Sequence, residues 1–388
     1  MKTLQLYINE QISYNLIKLS EEQKLKLLEY DNLYGILVKE FKNYTNKNSI
    51  VNFKEETNKM VKSIQSSKYD YYPVFKYCDN SKITNKKYVS NLIDSFNELK
   101  DKFKLFKCYI SKFYIEKIDA FTNMLNHYYN NGEYFDDLIT YDDYLSALEY
   151  IKSNKYYSNE ELDEKKFDAN YCKIQLENEL KKLNIDNVTI DFNDNMVPRV
   201  SVSSKQVLIN SNAKFSESDI ISLKAHEIDT HVIKNINSQK YGYGLNLFKF
   251  GLFGYKKLNE GHAIYNALQA LKNIKNNILY NVAIRTIIAY DLIINKYDIY
   301  MVYKDIHNLC PDIEQHTICS AILREKRGFP NTKILGAFND DYSYFSGYNI
   351  INKLNNSDRN LLIKYNIGIN QLYELDTIRQ FLDINFKN

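Results

Sequence analysis

The sequence has little of the residues that break helices or cross-link small folds. Its 388 residues include only 11 glycines, four prolines and five cysteines, and tryptophan is absent. The cysteines are odd in number, widely spaced and without a C-x-x-C pair, which argues against a disulfide framework and against a cysteine zinc site. We therefore expect free thiols in a reducing compartment.

Long apolar runs and nucleotide-binding fingerprints are also absent. No run of about 18 apolar residues occurs, and the first ten residues lack the apolar segment of a signal peptide. There is no P-loop and no dinucleotide fingerprint, and the net charge of +3 comes without clustered arginine. We therefore expect a cytoplasmic protein that binds neither membranes nor nucleic acid.

The spacing of glycine and proline divides the chain into two regions. Between residues 21 and 164 only two glycines and one proline occur, which favours long helices. An acidic run then ends at Glu164, and we predict a boundary there, with an N-terminal helical region over residues 1–165 and a catalytic domain over residues 166–388. A chain of this length equally allows one large domain with an elaboration.

The second region begins with a helix and a small sheet. After a helix over residues 168–183, three β-rich runs follow at residues 188–192, 200–203 and 206–209, separated by Asn, Asp and Pro. The edge of such a sheet can receive an extended peptide as an added strand. We predict an α+β fold, mostly helical, with this small sheet ahead of the helix described next.

Two histidines and two carboxylates form the pattern of a hydrolytic zinc site. His226 is followed by Glu227, His231 comes five residues after His226, and Glu260 lies 29 residues further on. A catalytic zinc takes three protein ligands and leaves one position for water, and two His with one Glu is a common ligand set. The alternative is a solvated His-Glu pair on an ordinary helix.

The five-residue spacing of the histidines needs a special backbone. At about 100° per residue it would place the rings roughly 140° apart on a regular α-helix. A π-bulge would bring them together, and such bulges are frequent at functional sites. We therefore predict a widened turn between His226 and His231, in a helix that Ser216 and Asp219 begin with a near capping box.

Several segments resemble one known family, the microtubule-associated tyrosine carboxypeptidases of animals and their bacterial relatives named for a Gln-Glu-Gly-Leu-Ala motif. The resemblance rests on the following residues: Asp194-Asn195-Met196, Arg199 to Val202, Phe215 to Glu217, Ala225 to Ile228, Gly251 to Tyr255, Glu260 to Ala263, Arg324, Arg327-Gly328, Gly336, Phe338, Asp341, Tyr344 and Gly347. It covers about residues 167–354 and implies a zincin-like metallopeptidase.

Two positions depart from the family pattern. Asp229 stands where the family usually has Gly, and His262 stands where it has Leu. His262 lies about 200° round a helix from Glu260, so both cannot easily face one metal. Glu260 is the favoured third ligand, and His262 stays open as an alternative ligand or as a group that orients one.

The resemblance implies a zinc-dependent carboxypeptidase that holds one Zn²⁺ per chain on His226, His231 and Glu260. Glu227 is then the general base that activates water. Arg327 first and Arg324 second would hold the terminal carboxylate of the substrate, with Tyr344 also at the substrate, and these three roles come from the resemblance alone. The alternatives are a structural ion pair for each arginine and a role in the fold or in orienting a ligand for Tyr344. Lys256 and Lys257, just before Glu260, could hold the carboxylate instead.

The expected partner is a protein or peptide C-terminus, and acidic tails like those of tubulin are allowed but not required by the sequence. Two alternatives remain. One is a zinc endopeptidase or another amide hydrolase that uses the same residues, and the other is a non-catalytic metal-binding regulatory protein.

Overall fold

The computed structural model describes residues 18–44, 50–77, 86–129, 139–162, 165–194, 196, 198–203, 205–337 and 341–387. Of the residues named above, Glu164, Asn195 and Phe338 lie outside these ranges, and so does Cys78, one of the five cysteines.

The described chain is mostly helical, with one small sheet. Before the sheet lie the helices α1 Glu21–Tyr44, α2 Phe53–Gln65, α3 Lys86–Phe106, α4 Ser111–Tyr129, α5 Tyr141–Ser153, α6 Asn159–Leu162 and α7 Ala169–Lys182. The sheet strands are β1 Thr189–Phe192, β2 Val200–Val202 and β3 Gln206–Ile209. After them lie α8 Glu217–Leu223, a π-helix Lys224–Val232, α9 Ile233–Tyr241, α10 Asn246–Phe250, α11 Tyr255–Ala270, α12 Ile278–Ile293, α13 Ile299–Leu309, α14 Gln315–Glu325, α15 Tyr342–Lys353, α16 Asn356–Leu362, α17 Ile369–Tyr373 and α18 Leu375–Phe386.

The sheet supports the helix that carries the two histidines. Its strand order is β1-β3-β2, with β1 parallel and β2 antiparallel to the central β3. Ile190, Val207 and Ile209 are buried and share one apolar core with Ile228 and Val232 of the π-helix. The predicted α+β class, with a small sheet ahead of His226, is confirmed.

The start of α8 is fixed by a capping box and an ion pair. The Ser216 side chain accepts a hydrogen bond from the Asp219 backbone N–H, and the Asp219 carboxylate accepts one from the Ser216 N–H. Both guanidinium nitrogens of Arg199 also reach the two Asp219 oxygens at 2.7 Å. These contacts join Arg199, the residue before β2, to α8, which continues into the π-helix. They therefore fix the position of the helix relative to the sheet.

Two larger cores join the two halves of the chain. One combines α1, α3 and α4 with α10 and α18, and the other combines α2 and α5 with α12, α13 and α14. Residues from both sides of the predicted boundary near residue 165 therefore pack together, and the boundary itself stays a prediction. Cys108, Cys172, Cys310 and Cys319 are buried free thiols, as expected. Among the described helices, none combines the length and the apolar character that crossing a bilayer requires.

Candidate metal centre

The two histidines lie on a π-helix, as their spacing predicts. The helix Lys224–Val232 connects α8 to α9 without a break, and the His226 and His231 ring centroids are 4.9 Å apart. Because a π-helix has more residues per turn than an α-helix, a five-residue step returns to nearly the same face. Ala225, Ile228 and Val232 fill the opposite, buried face.

A buried hydroxyl stabilises this wide turn. The Thr230 hydroxyl donates to the Ala225 carbonyl oxygen at 2.7 Å, and the Asn266 side-chain amide of α11 donates to the Thr230 oxygen at 2.8 Å. Thr230 is fully buried. The Thr230 hydroxyl therefore adds a side-chain hydrogen bond to the π-turn and connects the turn through Asn266 to α11, and each such bond contributes roughly 0.5–1.5 kcal/mol.

Close helix packing brings Glu260 to the histidines. Gly261 of α11 lies against Gly347 of α15, and a Cβ on either glycine would overlap the backbone of the other helix. Only glycine at both positions allows this approach. Glu260 precedes Gly261 and Tyr344 lies three residues before Gly347, so the crossing of α11 and α15 places both side chains near His226.

The structure brings His226, His231 and Glu260 together. One ligand atom from each lies within 4.8 Å of the others, and among the described residues this is the group that could hold a metal ion. The Glu260 Oε2 atom lies 3.4 Å from His231 Nε2 and 3.8 Å from His226 Nε2. We call these three residues the metal-donor cluster. His262 is not in it and is buried, with its Nδ1 atom lacking a hydrogen-bond partner.

The three donor groups influence one another's ionisation. Burial opposes ionisation of Glu260, but the neighbouring His231 outweighs it by charge and hydrogen bonding and lowers the Glu260 pKa to about 2. Burial and the nearby His231 lower the His226 pKa to about 3, so this ring is neutral. Burial also works against a charged His231, but the Glu260 carboxylate raises its pKa. The cluster thus combines one carboxylate with two imidazoles, a donor set that suits zinc.

Glu227 lies beside the cluster without belonging to it. Burial raises its pKa to about 7, and the Glu260 charge adds to this effect while His231 opposes it. A carboxyl group that titrates near neutral pH can both accept and return a proton.

Tyr344 connects the metal-donor cluster to a second charged group. Its ring lies nearly parallel to the His226 ring, with centroids 6.3 Å apart and an interplanar angle of 19°. The Arg285 guanidinium carbon lies 5.4 Å from the centre of the Tyr344 ring. Burial and the charge of Glu260 raise the Tyr344 pKa well above its usual value, so its hydroxyl stays protonated and can donate.

Three arginines surround one buried aspartate. The Asp341 carboxylate contacts Arg324 Nε, lies 3.0 Å from Arg285 Nη1 and lies 3.8 Å from Arg327 Nη2. We call these four residues the arginine cluster. Arg327 is only 4% exposed and its Nε donates to the Arg324 carbonyl, whereas the Arg285 and Arg324 side chains are 19% and 28% exposed. Arg327 thus has the surroundings of a structural ion pair, and Arg324 is the more accessible of the two predicted arginines.

Sequence reasoning missed Arg285, although a signal was present. Only six of the 51 basic residues are arginine, and Arg285 is one of the two charged residues in the largely apolar helix Ile278–Ile293, the other being Asp291. Where lysine is so strongly preferred, a retained arginine suggests a position that needs the planar fork of a guanidinium. Lys257, considered as another carboxylate holder, lies 3.2 Å from Asp143 in an ion pair.

A family model described as microtubule-associated tyrosine carboxypeptidase matches residues 134–380 of the chain. The protein therefore belongs to this family, whose description is that of a carboxypeptidase and hence of a peptidase. No curated protein matches the chain in a direct sequence search. The match extends over the sheet, the π-helix and both charged clusters.

Proposed function

We propose that the protein is a zinc-dependent metallocarboxypeptidase of zincin-like fold that removes the last residue from a protein or peptide. One observation carries the proposal: three convergent donor atoms lie beside a carboxyl group on a π-helix whose widened turn joins the two histidines. Family membership supports the choice of a C-terminal bond as the point of cleavage.

The metal-donor cluster suits zinc by its chemistry and its spacing. Bonds of 2.0–2.1 Å in a tetrahedral site place neighbouring donor atoms roughly 3.3 Å apart. The separations of 3.4 and 3.8 Å in the protein are close to this value. His226, His231 and Glu260 would hold the ion and leave one position for water. The chemistry supplied by such an ion is Lewis acidity, which lowers the pKa of water and polarises a carbonyl group.

Glu227 would move the proton. Its carboxylate would take a proton from the attacking water and deliver it to the leaving amine, a role that suits its pKa of about 7. The protonated Tyr344 hydroxyl is the candidate donor to the carbonyl oxygen as negative charge develops there. Arg324 and Arg285 would bind the terminal carboxylate of the substrate, because their guanidinium groups are the more accessible ones of the arginine cluster.

Product analysis with a matched variant tests this function. The wild-type protein, incubated with peptides ending in Tyr or Glu, should release single C-terminal residues. Glu227→Gln should retain zinc, and its rate of peptide cleavage should fall by a factor of about 10²–10⁴, because only the proton transfer is removed. Internal fragments would instead indicate an endopeptidase. Equal activity of Glu227→Gln would exclude the proposed role of this residue.

A further inference from the structure

The short helix α10 lies in the segment that connects the two ligand-bearing parts of the chain. The π-helix carries both histidines and continues into α9, whereas α11 carries Glu260. Gly242, which follows α9, packs against α10, because a Cβ on this glycine would lie 2.5 Å from the Phe248 side chain. Only the four residues 251–254 then separate α10 from α11. The position of α10 therefore affects both parts of the metal-donor cluster.

Asp31 of α1 supplies the cap that α10 lacks, because the N-cap residue Leu245 gives this helix no side-chain hydrogen bond. The buried Asp31 carboxylate accepts hydrogen bonds from the backbone N–H groups of Asn246 and Leu247 at 2.8 and 3.1 Å. The Tyr114 hydroxyl donates to the same carboxylate at 2.6 Å and fixes its orientation. A helix of five residues is too short to be stable by itself, and its first N–H groups need an acceptor. Asp31 thus determines where α10 begins.

The Asn246 side chain fits a slot on α1. Its amide nitrogen donates to the Asp31 carboxylate at 3.0 Å and to the Asp31 carbonyl oxygen at 3.1 Å. About one turn further along α1, Gly35 leaves room for this amide, because a Cβ there would lie 2.7 Å from the Asn246 side chain. Tyr34 packs edge-on against Phe250 at the other end of α10, with ring centroids 6.5 Å apart. The helix α1 therefore holds α10 at both of its ends.

The contacts continue from α10 into α11. Gly251 and Gly254 have φ angles of 81° and 75°, in the left-handed region that glycine adopts without strain. The Tyr255 ring, at the first position of α11, covers Gly251 so closely that a Cβ there would lie 2.4 Å from the ring. Glu260 follows in the second turn of α11. Because the hydrogen bonds of a helix make it stiff, a shift of its first turn moves Glu260 as well.

We propose that Asp31 is a positioning residue for the metal-donor cluster and acts on Glu260 through α10. The family match covers residues 134–380, so α1 supplies this support from outside the matched segment. The inference rests on the proposed function for the identity of the metal. Asp31 is not one of the donor residues, and its effect on zinc affinity would pass through the backbone of α10 and α11.

Glu56 of α2 provides a matched control for Asp31. Both residues are 3% exposed. The Glu56 carboxylate likewise accepts hydrogen bonds from a tyrosine hydroxyl, that of Tyr71 at 2.6 Å, and from a backbone N–H, that of Val74 at 2.9 Å. These partners lie in residues 71–74, and neither belongs to α10 or α11.

Zinc titration of the two variants, by isothermal calorimetry on the full chain, tests the proposal. Asp31→Asn should weaken zinc binding about tenfold or more, the size of effect seen when groups that orient metal ligands are removed. Glu56→Gln should leave zinc affinity unchanged, although both variants lose a buried hydrogen-bond acceptor. A purely structural role would lower the stability of both variants and the zinc affinity of neither, and that result would overturn the inference.

Gly35→Ala covers the case in which Asp31→Asn folds poorly. Alanine has the higher helix propensity, so α1 itself is not weakened, but the new methyl group displaces the Asn246 amide from its slot. Zinc affinity should therefore fall, and the added substitution Asn246→Ala should restore part of it by removing the overlap. Unchanged zinc affinity in Gly35→Ala would contradict the proposal.

Hydrogen exchange of the metal-free protein separates this inference from the proposed function. Asp31→Asn should speed exchange of the backbone amides in α10 and in the first turn of α11 about tenfold, since a hydrogen bond to a charged group is lost, and Glu56→Gln should not. This result in a protein that binds no zinc would refute the proposed function and support the connection from Asp31 to α11. Zinc binding by the wild type, with the same exchange of α10 and α11 in both variants, would refute the inference and leave the proposed function intact.

Discussion

The metal-donor cluster and the arginine cluster carry opposite chemistry. Both lie beside Tyr344, whose ring is near His226 of the first cluster and Arg285 of the second. The first combines one carboxylate with two imidazoles and presents electron-pair donors to a cation. The second gathers three guanidinium groups around one carboxylate and presents N–H donors to an anion. A peptidase that cuts at a C-terminus needs both properties at adjacent positions, one for the scissile carbonyl and one for the terminal carboxylate.

The largest effect should come from removing the anion of the arginine cluster. Asp341→Ala leaves three buried or partly buried arginines without their partner, and breaking such a pair costs about 3–5 kcal/mol of unfolding free energy. Glu260→Gln in metal-free protein is the comparison, because the two imidazoles can remain neutral and no charge is stranded. Urea unfolding measures both. A smaller loss for Asp341→Ala than for Glu260→Gln would contradict the distinction between the clusters.

A second, smaller effect concerns the helix crossing that assembles the metal-donor cluster. Gly347→Ala would place a methyl group against the Lys257 carbonyl oxygen and push α15 from α11. We expect a loss of about 1–3 kcal/mol, as for other overpacked sites, together with weaker metal binding. Asn349→Ala on the same helix is the control. Calorimetric unfolding and zinc titration check this, and unchanged zinc affinity in Gly347→Ala would argue that the crossing does not position Glu260.

Substitution of two equally buried threonines allows the π-turn to be compared with an ordinary α-helix. Thr230 bonds to the carbonyl five residues before it, and Thr286 of α12 bonds to the carbonyl four residues before it at 3.1 Å. Thr230→Val should cost about 1–3 kcal/mol, because it removes the hydrogen bond to the Ala225 carbonyl and leaves the Asn266 amide without its acceptor. Thr286→Val should cost less and leave zinc affinity unchanged. Equal losses from the two substitutions would mean that the hydroxyl does not stabilise the wide turn.

The smallest effect is a dependence of stability on pH from Glu325. A carboxyl whose pKa is raised on folding keeps its proton in the folded state while the unfolded chain loses it above about pH 4.3. The folded state then binds more protons, so stability falls as pH rises through the folded pKa. Glu325→Gln should reduce this slope, measured by urea unfolding at several pH values. An identical slope in the variant would show that Glu325 is ionised in both states.

Two of the three members of the metal-donor cluster could be predicted from local sequence, whereas Glu260 was chosen from the ligand types of catalytic zinc and the family resemblance. His226, Glu227 and His231 lie within six residues, so the spacing alone predicts the widened turn that the structure confirms. The sheet strands and the start of α8 after Ser216 were also predicted within one or two residues.

The arginine cluster was not readable in the same way, because its geometry depends on three helices and a loop. Arg285 comes from α12, Arg324 from α14 and Asp341 from the start of α15, and no spacing rule connects them. Likewise, the run from Arg324 to Arg327 has the composition of a solvated surface, yet Glu325, Lys326 and Arg327 are buried. Lys326 Nζ lies 2.7 Å from the Gly336 carbonyl oxygen, a contact that only the fold reveals.

The assignment of His226, His231 and Glu260 as zinc ligands is tested by the zinc content of the purified wild-type protein beside Glu260→Ala and His262→Ala, measured by elemental analysis. We expect close to one zinc per chain in the wild type and in His262→Ala, and loss of the zinc in Glu260→Ala. Zinc that persists in Glu260→Ala but not in His262→Ala, or a wild type that binds none when zinc is supplied, would contradict it.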